Sequence, residues 1–222
     1  MTDQSTGKQL PLDVAVFDLD ETLYPRGCGI MRAIGERITL YVEQFFDLPT
    51  PAAKKLRSDY FQQYGTTLRG LQINHQIDAD EYMTFVHDVP VEESVGYDGR
   101  LDEALAQIEA RKVIFTNASW EHAERVLAVR QIRHHFERII DVRDMDWISK
   151  PEPDAYTRLL GLLSSTGPRT MLVEDNVRNL RPAAELGMIT VLVDGDGEDV
   201  ANYVIDEIWQ IGGVYASLNG NS

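Results

Sequence analysis

Cysteine is almost missing: Cys28 is the only one in 222 residues. No disulfide can close within the chain, and Cys28 reads as a packing residue. Basic residues are also scarce, with 21 Lys and Arg against 36 Asp and Glu and a formal net charge of −15. That balance speaks against a nucleic-acid backbone or an anionic membrane surface as partner. It leaves room for a small anionic substrate, because a bound metal reverses the field locally. No apolar run approaches the length of a membrane span. The first ten residues are polar and lack the apolar centre of a signal peptide. There is no internal repeat and no low-complexity tract. The expectation is a soluble, cytoplasmic globular protein with a short disordered start, monomeric or homodimeric.

What the chain does have begins at Val14-Ala15-Val16-Phe17-Asp18-Leu19-Asp20. A short apolar run ending in two acids reads as a strand buried on both faces, with Asp18 and Asp20 at its carboxyl end. In open α/β sheets that edge binds ligands. Two carboxylates so close repel each other unless a cation or a proton joins them.

Helical periodicity follows. Ile30, Ile34, Ile38, Tyr41 and Phe45 share one helical face. Thr50 followed by Pro51 predicts an N-cap and a helix that stops at Gly65. A short helix is expected around Leu68 and Leu71, and another after the cap signal Asp78-Ala79-Asp80-Glu81. Residues 29 to about 90 thus read as a purely helical insert. From Leu101 onward helices and strands alternate. Strands are expected at Val113-Ile114-Phe115, Ile139-Ile140, Met171-Leu172-Val173 and residues 188–193, with a last one at 203–208. Such alternation implies a doubly wound parallel sheet, an α/β core with a small all-helical cap inserted after its first strand. The divisions are a core of residues 11–27 and 91–212, a cap of residues 28–90, and tails at 1–10 and 213–222.

Parallel strands bring their carboxyl ends to one edge. Asp18 and Asp20, Thr116 and Asn117, and Glu174 and Asp175 should therefore meet there, with Lys150 reaching the same place from a loop. Each signal alone is ordinary: a strand-end acid often caps a helix, and a lysine before proline is often surface. Together they make a metal site beside an anion site. Hard oxygen ligands favour Mg²⁺.

These four motifs resemble those of the haloacid dehalogenase superfamily, over residues 14 to about 193. More narrowly, the stretch from Phe17 to Pro25, Tyr64-Gly65-Thr66-Thr67-Leu68, His87-Asp88-Val89-Pro90 and Val173-Glu174-Asp175-Asn176-Val177-Arg178-Asn179-Leu180 resemble its pyrimidine 5′-nucleotidase branch. The resemblance implies a phosphomonoesterase. Asp18 would be the nucleophile and Asp20 the general acid and base. Thr116, Asn117 and backbone N–H groups from Leu19 onward would bind phosphoryl oxygens, and Lys150 would offset charge. Asp18, Asp20, Glu174 and Asp175 would form the Mg²⁺ site, Asp20 through its carbonyl and Glu174 through a water. A dehalogenase of the superfamily lacks an acid where Asp20 stands, so the resemblance points to phosphoryl transfer.

The expected partner is a small phosphorylated metabolite, most of all a pyrimidine nucleoside 5′-monophosphate. The alternatives are a sugar-phosphate phosphatase or phosphomutase, and a non-catalytic binding module on the same fold. Tyr24, Arg26, Tyr64, Thr67 and Arg69 are the residues expected to face the substrate, with Tyr24 or Tyr64 able to stack on a base. Among the five histidines no metal-ligand spacing stands out; His134-His135 reads as a solvated helix end, and His75 and His87 as cap or loop residues.

Overall fold

The fold is seen in a computed structural model, described for residues 12–197 and 199–218. The tail expected at residues 1–10 lies outside the described residues, as does 219–222 of the tail expected at 213–222.

Strand β1 (Val14–Phe17) is followed by helices α1 (Ile30–Phe46), α2 (Thr50–Tyr64), α3 (Thr67–Asn74), α4 (Ala79–Val86) and the single turn α5 (Val91–Ser94). The alternating part runs α6 (Gly99–Ala106), β2 (Arg111–Phe115), α7 (Trp120–Val129), β3 (Arg138–Ile140), α8 (Pro153–Leu163), β4 (Thr170–Glu174), α9 (Val177–Glu185), β5 (Ile189–Val193), β6 (Tyr203–Ile205) and α10 (Ile211–Leu218). The six strands form one sheet in the order β3-β2-β1-β4-β5-β6, and every pairing is parallel. The chain winds outward from β1 on one side, then returns and winds outward on the other. β1 therefore sits at the topological switch point, where such sheets open a crevice at their carboxyl edge.

The apolar runs explain why these strands are central. Val14 and Val16 face one core cluster, with Val113, Phe115 and Leu172. Ala15 and Phe17 face the other, with Ile114, Met171 and Val173. Side chains alternate faces along a strand, so a strand covered by helices on both sides must be apolar at every position. Helices α1 to α4 pack around a third cluster of Leu68, Leu71, Tyr82, Met83 and Val86. Tyr41 meets Tyr82 and Phe85 edge-on at 4.8 and 5.7 Å. Ile30 and Ile34, at the foot of α1, sink instead into the core cluster of the sheet.

Several expectations shift by a few residues. Thr50 is the first residue of α2 rather than its cap, because Pro49 holds the extended N-cap position. The helix expected over residues 101–110 runs instead from Gly99, with Asp98 as its cap, to Ala106, before Arg111 pairs with β1. The last strand ends at Ile205 rather than Ile208. There the side chains of Glu207 and Gln210 cap a 3₁₀ turn that leads into α10. That helix carries the fold past residue 212, with Val214 buried. Asp78 does cap α4, its Oδ1 accepting from the N–H groups of Asp80 and Glu81. Among the described residues no helix is long and apolar enough to cross a membrane.

Candidate active site

Two of the acids sit where β1 ends. Asp18 continues the strand, its N–H donating to Val173 O at 2.9 Å, and its carboxylate is buried in the crevice. Oδ2 accepts from Thr22 Oγ1 at 2.9 Å and Oδ1 from Lys150 Nζ at 2.6 Å. Lys150 is itself only 2% exposed. Its ammonium also donates to Glu174 Oε2 at 2.8 Å and to Phe115 O at 3.0 Å, so all three protons are used. Carboxylate oxygens of Asp18, Glu174 and Asp175 lie within 4.8 Å of one another.

One lysine does not balance three acids. Burial, then the neighbouring Glu174, pushes Asp18 up to about 7 despite Lys150. Burial also carries Glu174 to about 7, with Asp175 adding to it against Lys150. Asp175 is raised by burial and by Asp18. Burial works to lower Lys150, but Asp18 and Glu174 outweigh it and hold the ammonium charged. A compact set of hard oxygens with surplus negative charge fits a small divalent cation. On the rim, Arg26 Nη2 donates to Asp175 O at 2.6 Å and Oδ2 at 2.7 Å.

Asp20 belongs to a different network. Its Oδ1 accepts from Tyr24 Oη at 2.6 Å and from His122 Nε2 at 3.0 Å. Burial would raise this carboxyl, but the charge and hydrogen bond of His122, then Tyr24, hold it below its ordinary value. Both bonds fall on Oδ1 and tie the Asp20 carboxylate to Tyr24 and His122, apart from the cluster of Asp18, Glu174 and Asp175. His122 stacks on His87 at 4.5 Å, and Ser119 Oγ lies 3.2 Å from His87 Nδ1. Burial and then His122 push His87 down to about 3, which keeps that ring neutral.

The motif residues all reach one cavity of roughly 700 Å³, between the sheet edge and helices α1 to α4. Asp18, Asp20, Thr116, Asn117, Lys150, Glu174 and Asp175 line its floor. Asn117, however, turns its amide to the chain itself: Oδ1 accepts from Lys150 N at 2.8 Å and Nδ2 donates to Lys150 O at 3.0 Å. It clasps the lysine loop rather than a ligand. Leu19 is buried, so only its backbone can meet a substrate. Tyr24 is buried too, its hydroxyl committed to Asp20, and Tyr64 packs on Tyr60 outside the cavity lining. Neither tyrosine offers a ring to a base. Arg26 is held by Asp175, and Arg69 pairs with Glu152 at 3.0 Å rather than facing the cavity. Thr67 does line it.

The helices sit close over this floor. Gly65 ends α2 at φ 84, and a Cβ there would lie 2.8 Å from Pro151 Cδ. Arg178 at the head of α9 donates to the carbonyls of Phe61 and Gln62.

Sequence reasoning does not single out His122. The available signal is Ser119, which caps α7 just after the strand end Thr116-Asn117. The third residue of that helix must then face the same edge. His134 and His135 are not simply solvated: both lie against Asp102, His135 Nε2 at 2.6 Å. His75 caps the end of α3 and bonds Tyr60 Oη at 2.9 Å.

Known proteins bear on this arrangement. Solved structures similar to the chain include the HAD-hydrolase YfnB from Bacillus subtilis bound to magnesium, 13% identical with a TM-score of 0.59, covering 94% of this chain and 99% of that one. A HAD phosphatase from Thermococcus onnurineus is 17% identical with a TM-score of 0.60, covering 91% and 97%. Both share the fold. Phosphate metabolism protein 8 of Saccharomyces cerevisiae is 28% identical over 194 residues, 79% of this chain. The chain spans 59% of that relative's length. The family model for haloacid dehalogenase-like hydrolases matches residues 12–187, from the start of β1 through the end of α9. The chain therefore belongs to the haloacid dehalogenase-like hydrolases.

Proposed function

We propose that the chain is a Mg²⁺-dependent phosphomonoesterase acting on a pyrimidine nucleoside 5′-monophosphate. The observation that carries this reading is the convergence of Asp18, Asp20, Thr116, Lys150, Glu174 and Asp175 on one cavity. The name of the yeast relative, with its reference to phosphate metabolism, supports phosphate chemistry. In this reading residues 28–90 are a cap that receives the leaving group, and the sheet with its flanking helices is the core.

An Asp18 oxygen attacks phosphorus, and the ester oxygen leaves with a proton from Asp20. Asp20 then takes a proton from water, which attacks the aspartyl-phosphate, frees inorganic phosphate and restores Asp18. Lys150 offsets charge throughout without moving, because its three hydrogen bonds already hold it. Asp18, Glu174, Asp175 and the Asp20 carbonyl would hold the cation, which supplies charge neutralisation to nucleophile and phosphate. The protein's own field leaves Asp18 inclined to keep a proton and Asp20 inclined to lose one. That order is the reverse of what the chemistry needs. A cation held by these residues would lower Asp18, and a phosphate dianion would raise Asp20, so that binding would set the two acids in their working states.

Tyr24 and His122 position Asp20. Tyr24→Phe removes one hydrogen bond to a charged acceptor, worth about 1.5–3 kcal/mol. Steady-state kinetics should show kcat falling about tenfold or more, with KM little changed. An unaltered kcat would remove Tyr24 from the working site.

The function is tested with a panel of phosphate esters, with and without EDTA. UMP and CMP should be the preferred substrates, chelation should stop turnover and added Mg²⁺ should restore it. Preference for sugar phosphates would reject the nucleotide assignment. Hydrolysis of no ester at all would reject the enzyme reading in favour of a binding module.

A further inference from the structure

The loop between β3 and α8 places an indole on the cavity wall, three residues before Lys150. Asp146 and Trp147 both adopt left-handed backbone, φ 51 and 63. That conformation is unfavourable for a bulky side chain and persists only where surroundings impose it. Here they do. Trp147 N–H donates to Val142 O at 2.9 Å, and Ile148 N–H to Met145 O at 3.0 Å. The Asp141 carboxylate accepts from the N–H groups of Trp120 and Arg143. Trp147 is half-buried, lines the cavity and packs against the apolar cluster of α1 to α4. The Arg143 guanidinium lies 5.8 Å from its ring centre and is fixed by Asp80, Glu121 and Asp141. A strained backbone, rigidly tied, thus holds a polarised aromatic plate beside the catalytic floor.

We propose that Trp147 is the specificity-determining residue for the leaving group, stacking on the planar ring of a nucleobase. This rests on the nucleotidase reading and assigns the platform that Tyr24 and Tyr64 do not supply. Stacking tolerates any base, so it selects rings over open-chain or pyranose leaving groups. Discrimination among bases must come from other groups.

The test compares kcat/KM for UMP and for glycerol 2-phosphate, an ester without a ring, in wild type, Trp147→Ala and Trp147→Phe. Trp147→Ala should lose about ten- to a hundredfold on UMP, mainly through KM, and markedly less on glycerol 2-phosphate. Trp147→Phe should recover part of the UMP loss. Independently, UMP added to Asp18→Asn protein should quench tryptophan fluorescence, and adding Trp147→Phe should abolish the quench. Equal losses on both esters, or an undiminished quench, would overturn the proposal while the nucleotidase reading stands. Wild type that neither hydrolyses UMP nor shows the quench would overturn both.

Discussion

Asp18→Asn protein is expected to fold normally and to lose turnover by ~10⁴-fold or more, the scale reached when a covalent nucleophile is removed. The substitution is isosteric. The carbonyl oxygen of the new amide can still accept from Lys150, and the hydroxyl of Thr22 can rotate to accept from its NH₂ group. What disappears is the oxygen that attacks phosphorus, together with one negative charge from a crowded set. Glu174 and Asp175 remain beside it, so the metal-free protein should be at least as heat-stable as wild type. The stabilisation conferred by Mg²⁺ should shrink, because one of its ligands has become neutral. Phosphate release and melting curves with and without Mg²⁺ measure both effects. Wild-type hydrolysis by this variant would remove Asp18 from the nucleophile's role.

Lys150→Met should damage stability and activity together. The ammonium is the only cation bonded to Asp18 and Glu174 among the described residues, and all three groups are buried. Removing one partner of a buried ionic set typically costs about 3–5 kcal/mol, because the remaining charge has nowhere to go. The loss should depend on pH. Asp18 and Glu174 stand at about 7 in the folded protein, above their ordinary values of 3.8 and 4.5. Losing Lys150 removes the influence that lowers them, so they rise further. A carboxyl raised on folding makes its full contribution to stability below its unfolded pKa and loses it as pH climbs through the folded one. The deficit of the variant should therefore be small near pH 5, where both acids are protonated, and grow through pH 7 to 8. His87, which is held neutral, titrates alike in both proteins and cancels in the difference. Turnover should fall by about 10²–10³-fold or more, as when a charge-stabilising group is lost. Denaturant unfolding at pH 5 and pH 8 decides the matter; equal deficits at both would show that Lys150 is not the counter-ion of these acids.

Much of this site is legible in the sequence. Parallel strands must end at one edge, so the acids after β1 and β4 and the threonine after β2 have to meet once the alternation is recognised. The helical insert is equally legible from its 3.6-residue period. What escapes depends on loop geometry. Glu21 takes a left-handed turn at φ 62, and the Tyr24 hydroxyl lies back on Asp20, whereas the sequence reading has Tyr24 facing the substrate. Asn117 reads as a ligand group because its neighbour points there, yet its amide completes the lysine loop. His122 and Trp147 carry no motif of their own. Each gains its place from contacts with residues far away in the chain, which periodicity cannot report.

The helical layer enters after β1 and leaves before β2, but these strands pair with each other directly, and β1 pairs with β4 on its other side. No ladder hydrogen bond passes through the inserted segment. An exchange of that segment by recombination would leave the hydrolytic floor standing, provided residues like Ile30 and Ile34 still plug the base of the sheet. Descendants of such a protein could reshape the roof of the cavity without rebuilding its floor, because the two are inherited on separable pieces of chain.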